Sequence, residues 1–371
     1  MTEAQLATPK RVVVALSGGV DSSVAAALLV QQGYAVSGIM LRLWTTTSNE
    51  YTGNDRFSEV DIADARRVCA MLNIPFRLVN VDAEFKSRVV DYFCDGYARG
   101  QTPNPCLACN LHIKFGVLLR LAIEAGADYL ATGHYARVLS REGQHFLLKG
   151  LDRSKDQSYV LYMLGQQQLG HVLFPVGGLT KHQVRALASK HGLPTAARSA
   201  SQDACFVGAT DYRAFVARAR PETVRAGPIL DQDGRVLGEH HGVAFYTVGQ
   251  RQGMGIAAAH PLYVLAVDAA RNAIIVGPRS ALLQRELLAE QVRFVADSAP
   301  ESAICISAKI RYKAPEALAT LIPLPGKRAR VVFAEPQIAI TPGQGVVFYA
   351  GEAVLGGGII AGSSPSEVPC A

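Results

Sequence analysis

Three cysteines stand where sulfur chemistry could be done. Cys106 and Cys109 form a Cys-x-x-Cys pair in the proline-rich loop 102–110, TPNPCLACN, and Cys205 follows in SQDACF at 201–206. A thiolate is a nucleophile, a sulfur carrier and a soft metal ligand. The pair alone leaves half a zinc site, a redox couple and part of an iron–sulfur ligand set open. Structural zinc would need two more sulfur or imidazole ligands at short spacing; there is no second Cys-x-x-Cys, and His112 and His134 are the candidates to complete such a site. Cys69 and Cys94 fall on apolar helical faces and read as core residues.

A second group of residues is suited to phosphate. Ser17-Gly18-Gly19-Val20-Asp21-Ser22-Ser23 follows the apolar run Val12 to Leu16 and opens a helix. Glycine lets the backbone approach phosphate oxygens, serine hydroxyls donate hydrogen bonds, and a helix N-terminus presents unpaired N–H groups and a positive dipole end. The loop lacks the Gly-Lys-Ser/Thr ending of the ordinary P-loop, so a pyrophosphate cradle is expected rather than cleavage of a terminal phosphate. Asp21 could help hold magnesium on the pyrophosphate or could simply cap the helix. A bare Gly/Ser turn is the plain alternative, and the strand–loop–helix context speaks against it.

The elements that must position these groups alternate. Strand patterns at Val12 to Leu16, Ala35 to Leu41, Phe76 to Val81 and Tyr129 to Thr132 are separated by helical patterns at Ser22 to Gln32, Asp61 to Leu72, Phe85 to Tyr97 and His112 to Ala125. This predicts an α/β fold with a doubly wound parallel sheet, in which the turns after Leu16, Leu41 and Thr132 face one crevice. Helical patterns continue at Asp156 to Gln167, Lys181 to His191 and Asp211 to Ala219. From about Gly227 short strands and turns take over, with Asp233-Gly234 as a hairpin signal, and strand patterns from Leu287 to Ile360 predict a small β-barrel. Three domains are expected: residues 1–220, a small mainly-β domain over 221–285, and a C-terminal β-barrel over 286–371.

Composition agrees with a folded chain of 371 residues, 49% apolar and 18% charged. A net charge of +6 favours a polyanionic partner without proving one. The seven cysteines, with no export signal at the start, read as thiols for chemistry rather than a secreted disulfide framework. No run is expected to reach the roughly 18 apolar residues of a membrane helix, which predicts a soluble, cytoplasmic protein without a membrane partner. Residues from Ser363 onward are the expected loose end.

The loop resembles that of the ATP pyrophosphatase superfamily, whose members cleave ATP between the α and β phosphates. Taken in order, SGGVDSS, TPNPxxxCN around Cys109, TGHYAR at 132–137, KDQSY at 155–159, SQDACF at 201–206, GQRQGMGI at 249–256 and IRYKAP at 310–315 resemble the tRNA-specific 2-thiouridylase family over nearly the whole chain. The resemblance implies ATP contacts from Ala15, Leu16, Ser17, Gly18, Gly19, Val20, Asp21 and Ser22, with Met40 and Gly133. It implies Cys109 as nucleophile and Cys205 as persulfide carrier. It implies contacts to tRNA from His134, Lys155, Asp156, Gln157, Arg311, Tyr312 and Gln344, with Asn104, Pro105 and Cys106 beside the target base. For Arg311-Tyr312 an ordinary solvated strand edge is the plain alternative.

One position departs from the family pattern, since Cys106 stands where many members have aspartate. Cys106, Cys109 and Cys205 together would suit a four-iron four-sulfur cluster with one open iron, the alternative being a persulfide route using Cys109 and Cys205. The expected reaction is ATP-dependent 2-thiolation of the wobble uridine in the anticodon loop, with sulfur from a relay protein or a cysteine desulfurase, by an enzyme expected to be monomeric. The rivals are a PP-loop amidotransferase-type ligase acting on a small molecule, which would need no such cysteines, and an RNA-binding metalloprotein, which would need no pyrophosphate loop.

Overall fold

A computed structural model describes residues 8–43, 59–198, 205–207 and 211–362. The chain divides into two compact units, Met1–Lys86 with Cys109–Gly208, and Ser87–Ala108 with Ala209–Ala371. The expected loose end from Ser363 lies outside the described residues, as do residues 44–58, toward which the turn expected after Leu41 extends, and residues 201–204 of SQDACF.

The strands of the first unit are β1 (Arg11–Leu16), β2 (Ala35–Arg42), β3 (Phe76–Asn80), β4 (Tyr129–Ala131), β5 (Ala136–Arg141), β6 (Gln144–Lys149) and β7 (Val172–Leu173). Five form a parallel sheet in the order β3-β2-β1-β4-β7. Val12, Val13 and Val14 are all buried, as expected of a parallel strand covered on both faces. The strand order reverses between β1 and β4, which pair Val12 to Val14 with Tyr129 to Ala131. Open α/β sheets bind ligands at such a switch point, beyond the carboxyl ends of the strands.

The helices in chain order are α1 (Val20–Gln31), α2 (Glu59–Met71), α3 (Asp82–Phe85), α4 (Asp91–Ala98), α5 (Pro105–Ala108), α6 (Leu119–Glu124), α7 (Gln166–Leu169), α8 (Lys181–Lys190) and α9 (Tyr212–Ala219). Small residues Ala25, Ala26 and Ala27 let α1 lie buried near the sheet. The helix expected from Phe85 to Tyr97 is broken by a π-helical segment, Lys86–Val90. The helix expected from His112 begins seven residues earlier, because α5 runs into a π-helical segment Cys109–Leu118 and then α6. The resulting 20-residue run Pro105–Glu124, mean hydropathy 1.6, is long and apolar enough to cross a membrane by length and composition, contrary to the sequence expectation. Its Ile113, Phe115, Leu118 and Ala122 are buried within the protein.

The expected helix from Asp156 to Gln167 does not form; a single 3₁₀ turn, Ser158–Val160, and α7 stand there instead. Residues 158–164 are buried throughout, so the apolar pattern marks a buried turn and not one face of a helix. Asp156 closes that turn by accepting hydrogen bonds from the backbone N–H of Gly150 and Ser158 and from the Ser158 hydroxyl, which competes with helix formation.

The second unit holds a four-stranded sheet and a barrel. Strands β8 (Gly227–Leu230), β9 (Val236–His240), β10 (Tyr263–Asp268) and β11 (Ala273–Gly277) pair in the order β10-β11-β8-β9. The Asp233-Gly234 turn joins β8 and β9, with Gly234 at φ +82°. Strands β12 (Leu283–Phe294), β13 (Ile304–Lys309), β14 (Ala317–Leu324), β15 (Arg328–Ile338), β16 (Gly345–Ala350) and β17 (Ala353–Gly362) follow. They pair antiparallel in the order β12-β15-β14-β13-β16-β17, and β12 also pairs with β17, which closes the barrel. Leu321, Val331, Phe333 and Phe348 fill it. The segment carrying α4 and α5 belongs to this unit: Arg220 pairs with Asp91 and Asp95 at 3.3 and 2.7 Å, and the Tyr97 and Tyr212 rings lie 4.8 Å apart.

Candidate active site

The phosphate loop sits at the switch point. Ala15 and Leu16 end β1, Ser17 is exposed, Gly18 and Gly19 form the bend, and Val20, Asp21 and Ser22 open α1. Gly18 adopts φ +70°, and a side chain there would strike Asp61 at 2.9 Å. Ser22 Oγ accepts the Ser17 N–H at 3.2 Å and donates to the Gly19 carbonyl at 3.1 Å, which folds the loop back on the helix start. Gly133, just past β4, presses on the same turn. A Cβ there would come within 2.6 Å of the Ser22 amide nitrogen, so only glycine fits. Leu16 and Met40 are register partners on β1 and β2, and the Met40 side chain is fully buried in the sheet core.

Asp21 is tightly held. Lys181 Nζ donates to its two carboxylate oxygens at 2.6 and 2.8 Å, and the Tyr135 hydroxyl donates to Oδ1 at 2.7 Å. Burial and then the Asp21 carboxylate push the Tyr135 hydroxyl far above its ordinary pKa, so it stays a donor. Oδ1 thus accepts two hydrogen bonds and Oδ2 one, so Oδ2 keeps a lone pair and the residue fits as one ligand of a phosphate-bound magnesium. The sequence marks Lys181 only as the start of a helix and not as a site residue: its partner lies 160 residues away, and no local pattern points to it.

Of the sulfur residues, Cys106 is exposed, Cys109 buried and Cys205 half-buried. Asn104 Oδ1 accepts the Cys106 N–H at 3.0 Å and so begins α5. The helix N-terminus therefore lies at Pro105, and Cys109 is a full turn inside the helix, where the dipole has weakened. Cys109 leads the π-helical segment, a rare conformation that is frequent at functional sites. Cys205 is held by its neighbours: Phe206 meets Phe85 edge-on with centroids 5.9 Å apart, and Val207 is buried. Phe85 lies on α3, which packs against the segment Cys109–Leu118. Cys205 and Cys109 thus sit on elements that meet at α3.

Among the described residues no three His, Cys, Asp or Glu side chains gather as metal ligands. His134, a candidate to complete a zinc site, is buried with both ring nitrogens near side-chain partners: its Nδ1 lies 2.7 Å from Thr132 Oγ1 and its Nε2 3.4 Å from Lys114 Nζ. Burial, then the Lys114 charge, holds the His134 imidazole well below its ordinary pKa and neutral.

Lys155 is exposed, while Asp156 and Gln157 are half-buried and structure the loop, Gln157 Oε1 accepting the Tyr135 N–H at 3.0 Å. Arg311 and Tyr312 lie in the turn between β13 and β14 rather than along a strand edge, and Arg311 donates to the Ile338 and Ala339 carbonyls at 2.9 and 3.0 Å. Gln344 donates to the Thr102 carbonyl at 2.7 Å, and the Thr102 N–H bonds the Pro342 carbonyl at 2.8 Å. These two bonds tie Asn104, Pro105 and Cys106 to the barrel.

Similarity to known proteins extends over nearly the whole chain. A family model described as the tRNA methyl transferase HUP domain matches residues 10–209, one described as the tRNA methyl transferase PRC-barrel domain matches 213–278, and one described as the aminomethyltransferase beta-barrel domain matches 284–360. The tRNA-specific 2-thiouridylase MnmA of Roseiflexus castenholzii is 48% identical over 367 residues, covering 95% of this chain and 99% of that one. That of Moorella thermoacetica is 49% identical over 352 residues, covering 94% and 98%. A solved 4-thiouridine synthetase–RNA complex with bound ATP aligns at TM-score 0.32 and 21% identity, over 53% of this chain and 44% of that one.

Proposed function

Because this chain belongs to the tRNA-specific 2-thiouridylase family, we infer that it is an ATP-dependent tRNA-uridine 2-sulfurtransferase. It replaces the C2 oxygen of the wobble uridine by sulfur and releases AMP and pyrophosphate. The observation that carries the reading is that a loop for pyrophosphate and two thiol-bearing elements that meet at α3 lie in one compact unit. A methyl transferase would have no use for either feature. A small-molecule ligase sharing the loop would leave Cys109 and Cys205 without a task. The breaks between the matched domains, after 209 and after 278, support boundaries near 220 and 285.

The C2 oxygen of a pyrimidine is a poor leaving group, and adenylation makes it a good one. Oxygen attacks the α-phosphorus, the bond to the β-phosphate breaks, the N3 proton is lost to solvent, and pyrophosphate departs with the electron pair. The ligands we assign to ATP are Ala15 to Ser22, the backbone at Met40, and Gly133. A magnesium ion, with Asp21 among its ligands, would supply charge neutralisation on the phosphates. Sulfur arrives as a persulfide on Cys205 from a relay protein or a cysteine desulfurase. Cys109 takes the outer sulfur and frees the Cys205 thiolate, and the new Cys109 persulfide attacks C2, expelling AMP. Cys205 then attacks the Cys109 sulfur; a disulfide closes, sulfur stays on C2, and an external dithiol restores both thiols.

The target base must leave the anticodon stack, which costs least for a single-stranded loop nucleotide. Asn104, Pro105 and Cys106 are assigned to its surroundings, and His134, Lys155, Asp156, Gln157, Arg311, Tyr312 and Gln344 to the tRNA. His134 acts from beneath the surface, as a neutral group that fixes Thr132 and Lys114. The persulfide route, which needs only Cys109 and Cys205 of the first unit, is the one we adopt, and no step passes through a cluster. The function is tested by pyrophosphate release: it should require a tRNA with a wobble uridine and not respond to ammonia or free uridine. Iron and acid-labile sulfide assayed on anaerobically purified protein test the route. A full cluster complement lost in Cys106→Asp would overturn the persulfide choice.

A further inference from the structure

The ordinary P-loop carries its own lysine, and the loop 17–23 has none. The fold brings one from elsewhere. Lys181 is the first residue of α8, whose start is fixed by a reciprocal cap: Thr180 Oγ1 accepts the Gln183 N–H at 3.2 Å and Gln183 Oε1 accepts the Thr180 N–H at 2.8 Å. The Lys181 N–H is in turn bonded to Asp152 Oδ2 at 3.0 Å. From this anchored base the side chain, 14% exposed, reaches the first turn of α1 and binds both oxygens of Asp21.

We propose that Lys181 is the phosphate-binding cation of this enzyme, a catalytic residue that contacts the β- and γ-phosphates of ATP and stabilises pyrophosphate as it leaves. Three features support this assignment. A helix N-terminus is an anion site, yet Asp21, the second residue of α1, places a carboxylate there that would repel phosphate if left unneutralised. Lys181 neutralises it. An ammonium has three donors, and among the described residues its hydrogen bonds account for two, which leaves one for a phosphate oxygen beside the loop. The Tyr135 ring, 5.8 Å from Nζ, limits where the ammonium can swing, and the Tyr135 hydroxyl keeps Asp21 in place should Lys181 turn toward the ligand. In the step concerned, the α-phosphorus to bridging-oxygen bond breaks, the electron pair goes to pyrophosphate, and the Lys181 N–H faces the growing charge.

The inference rests on the adenylation reading, and the test separates the two. Binding of α,β-methylene ATP and of AMP, and steady-state pyrophosphate release with saturating tRNA, are measured for wild type, Lys181→Gln and Lys181→Arg. Lys181→Gln should weaken the methylene analogue at least about tenfold while leaving AMP within twofold, and should lower kcat for pyrophosphate release about 10²- to 10³-fold, the size of losing one donor to a developing anion. Lys181→Arg, which keeps the charge, should recover most of the analogue affinity. Equal weakening of AMP and analogue, or a Lys181→Gln kcat within twofold of wild type, would overturn the assignment. Wild type that releases no pyrophosphate with tRNA would instead defeat the adenylation reading itself.

Discussion

Gly133 shows how little freedom the nucleotide site leaves at the level of single residues. The two nearest atoms that a Cβ would meet are backbone atoms of Ser22 and Asp21, which cannot move aside as the far end of a flexible side chain would. Gly133→Ala should therefore cost about 1–3 kcal/mol and raise the KM for ATP at least about tenfold; an unchanged KM would separate the turn from the nucleotide. His134 gives a prediction of different kind. Its folded pKa is lowered, so below the ordinary value of about 6.5 the unfolded chain binds the extra proton, and the stability contributed by neutral His134 is complete above that pH and lost below it. The one group can add at most about 1.4 kcal/mol per pH unit to the acid-side slope. Denaturant titrations between pH 5 and 8 should show that slope reduced in His134→Gln; an unchanged slope would mean the imidazole titrates alike in the folded and unfolded chain. The loop from Ser17 to Ser23 and the pair Cys106 and Cys109 were legible as candidates because each sits in a local pattern, glycine before a helix or cysteine in a proline-rich loop. Lys181 was not, because its meaning depends on an aspartate in another element.

Elements were legible where a strong period coincided with burial on one face or a covered strand. The units β1–α1 and α8 stand within about two residues of their expected positions. The missed hairpin β5–β6 had a signal: Glu142-Gly143, at φ +52° and +77°, is a two-residue loop with both residues left-handed, as the twist of a hairpin favours. The apolar stretch after Asp156 misled because it is buried on every side, so periodicity carried no direction. The π-helical start at Cys109 was invisible to a pattern that assumes one helical pitch. The Phe206–Phe85 contact ties Cys205 to α3 and is worth about 0.5–1.5 kcal/mol locally. Phe206→Ala should lower the rate of thiolation about three- to tenfold while tRNA-dependent pyrophosphate release stays within twofold. A parallel fall in both would place the effect on folding or on ATP instead of on sulfur delivery.

At the scale of the molecule, a charge of +6 predicts salt-dependent binding of a polyanion. Affinity for tRNA should fall linearly on a double-logarithmic plot against salt, and Lys155→Ala, at an exposed position, should reduce the slope by about 0.7–0.9. An unchanged slope would remove Lys155 from the phosphate contacts. For uridine 2-thiolation, ATP cleavage and sulfur transfer must act at one position of one nucleotide. The direct measurement is a single reaction containing tRNA, ATP, magnesium, cysteine, a dithiol and a cysteine desulfurase with its relay. Nucleosides are quantified by mass spectrometry alongside AMP and pyrophosphate, for wild type, Cys109→Ser and Cys205→Ser. Wild type should form one 2-thiouridine per AMP and per pyrophosphate, and both variants should bind tRNA normally yet form none. Thiouridine made at the wild-type rate by either variant, or pyrophosphate released by wild type with no sulfur on the uridine, would contradict this mechanism.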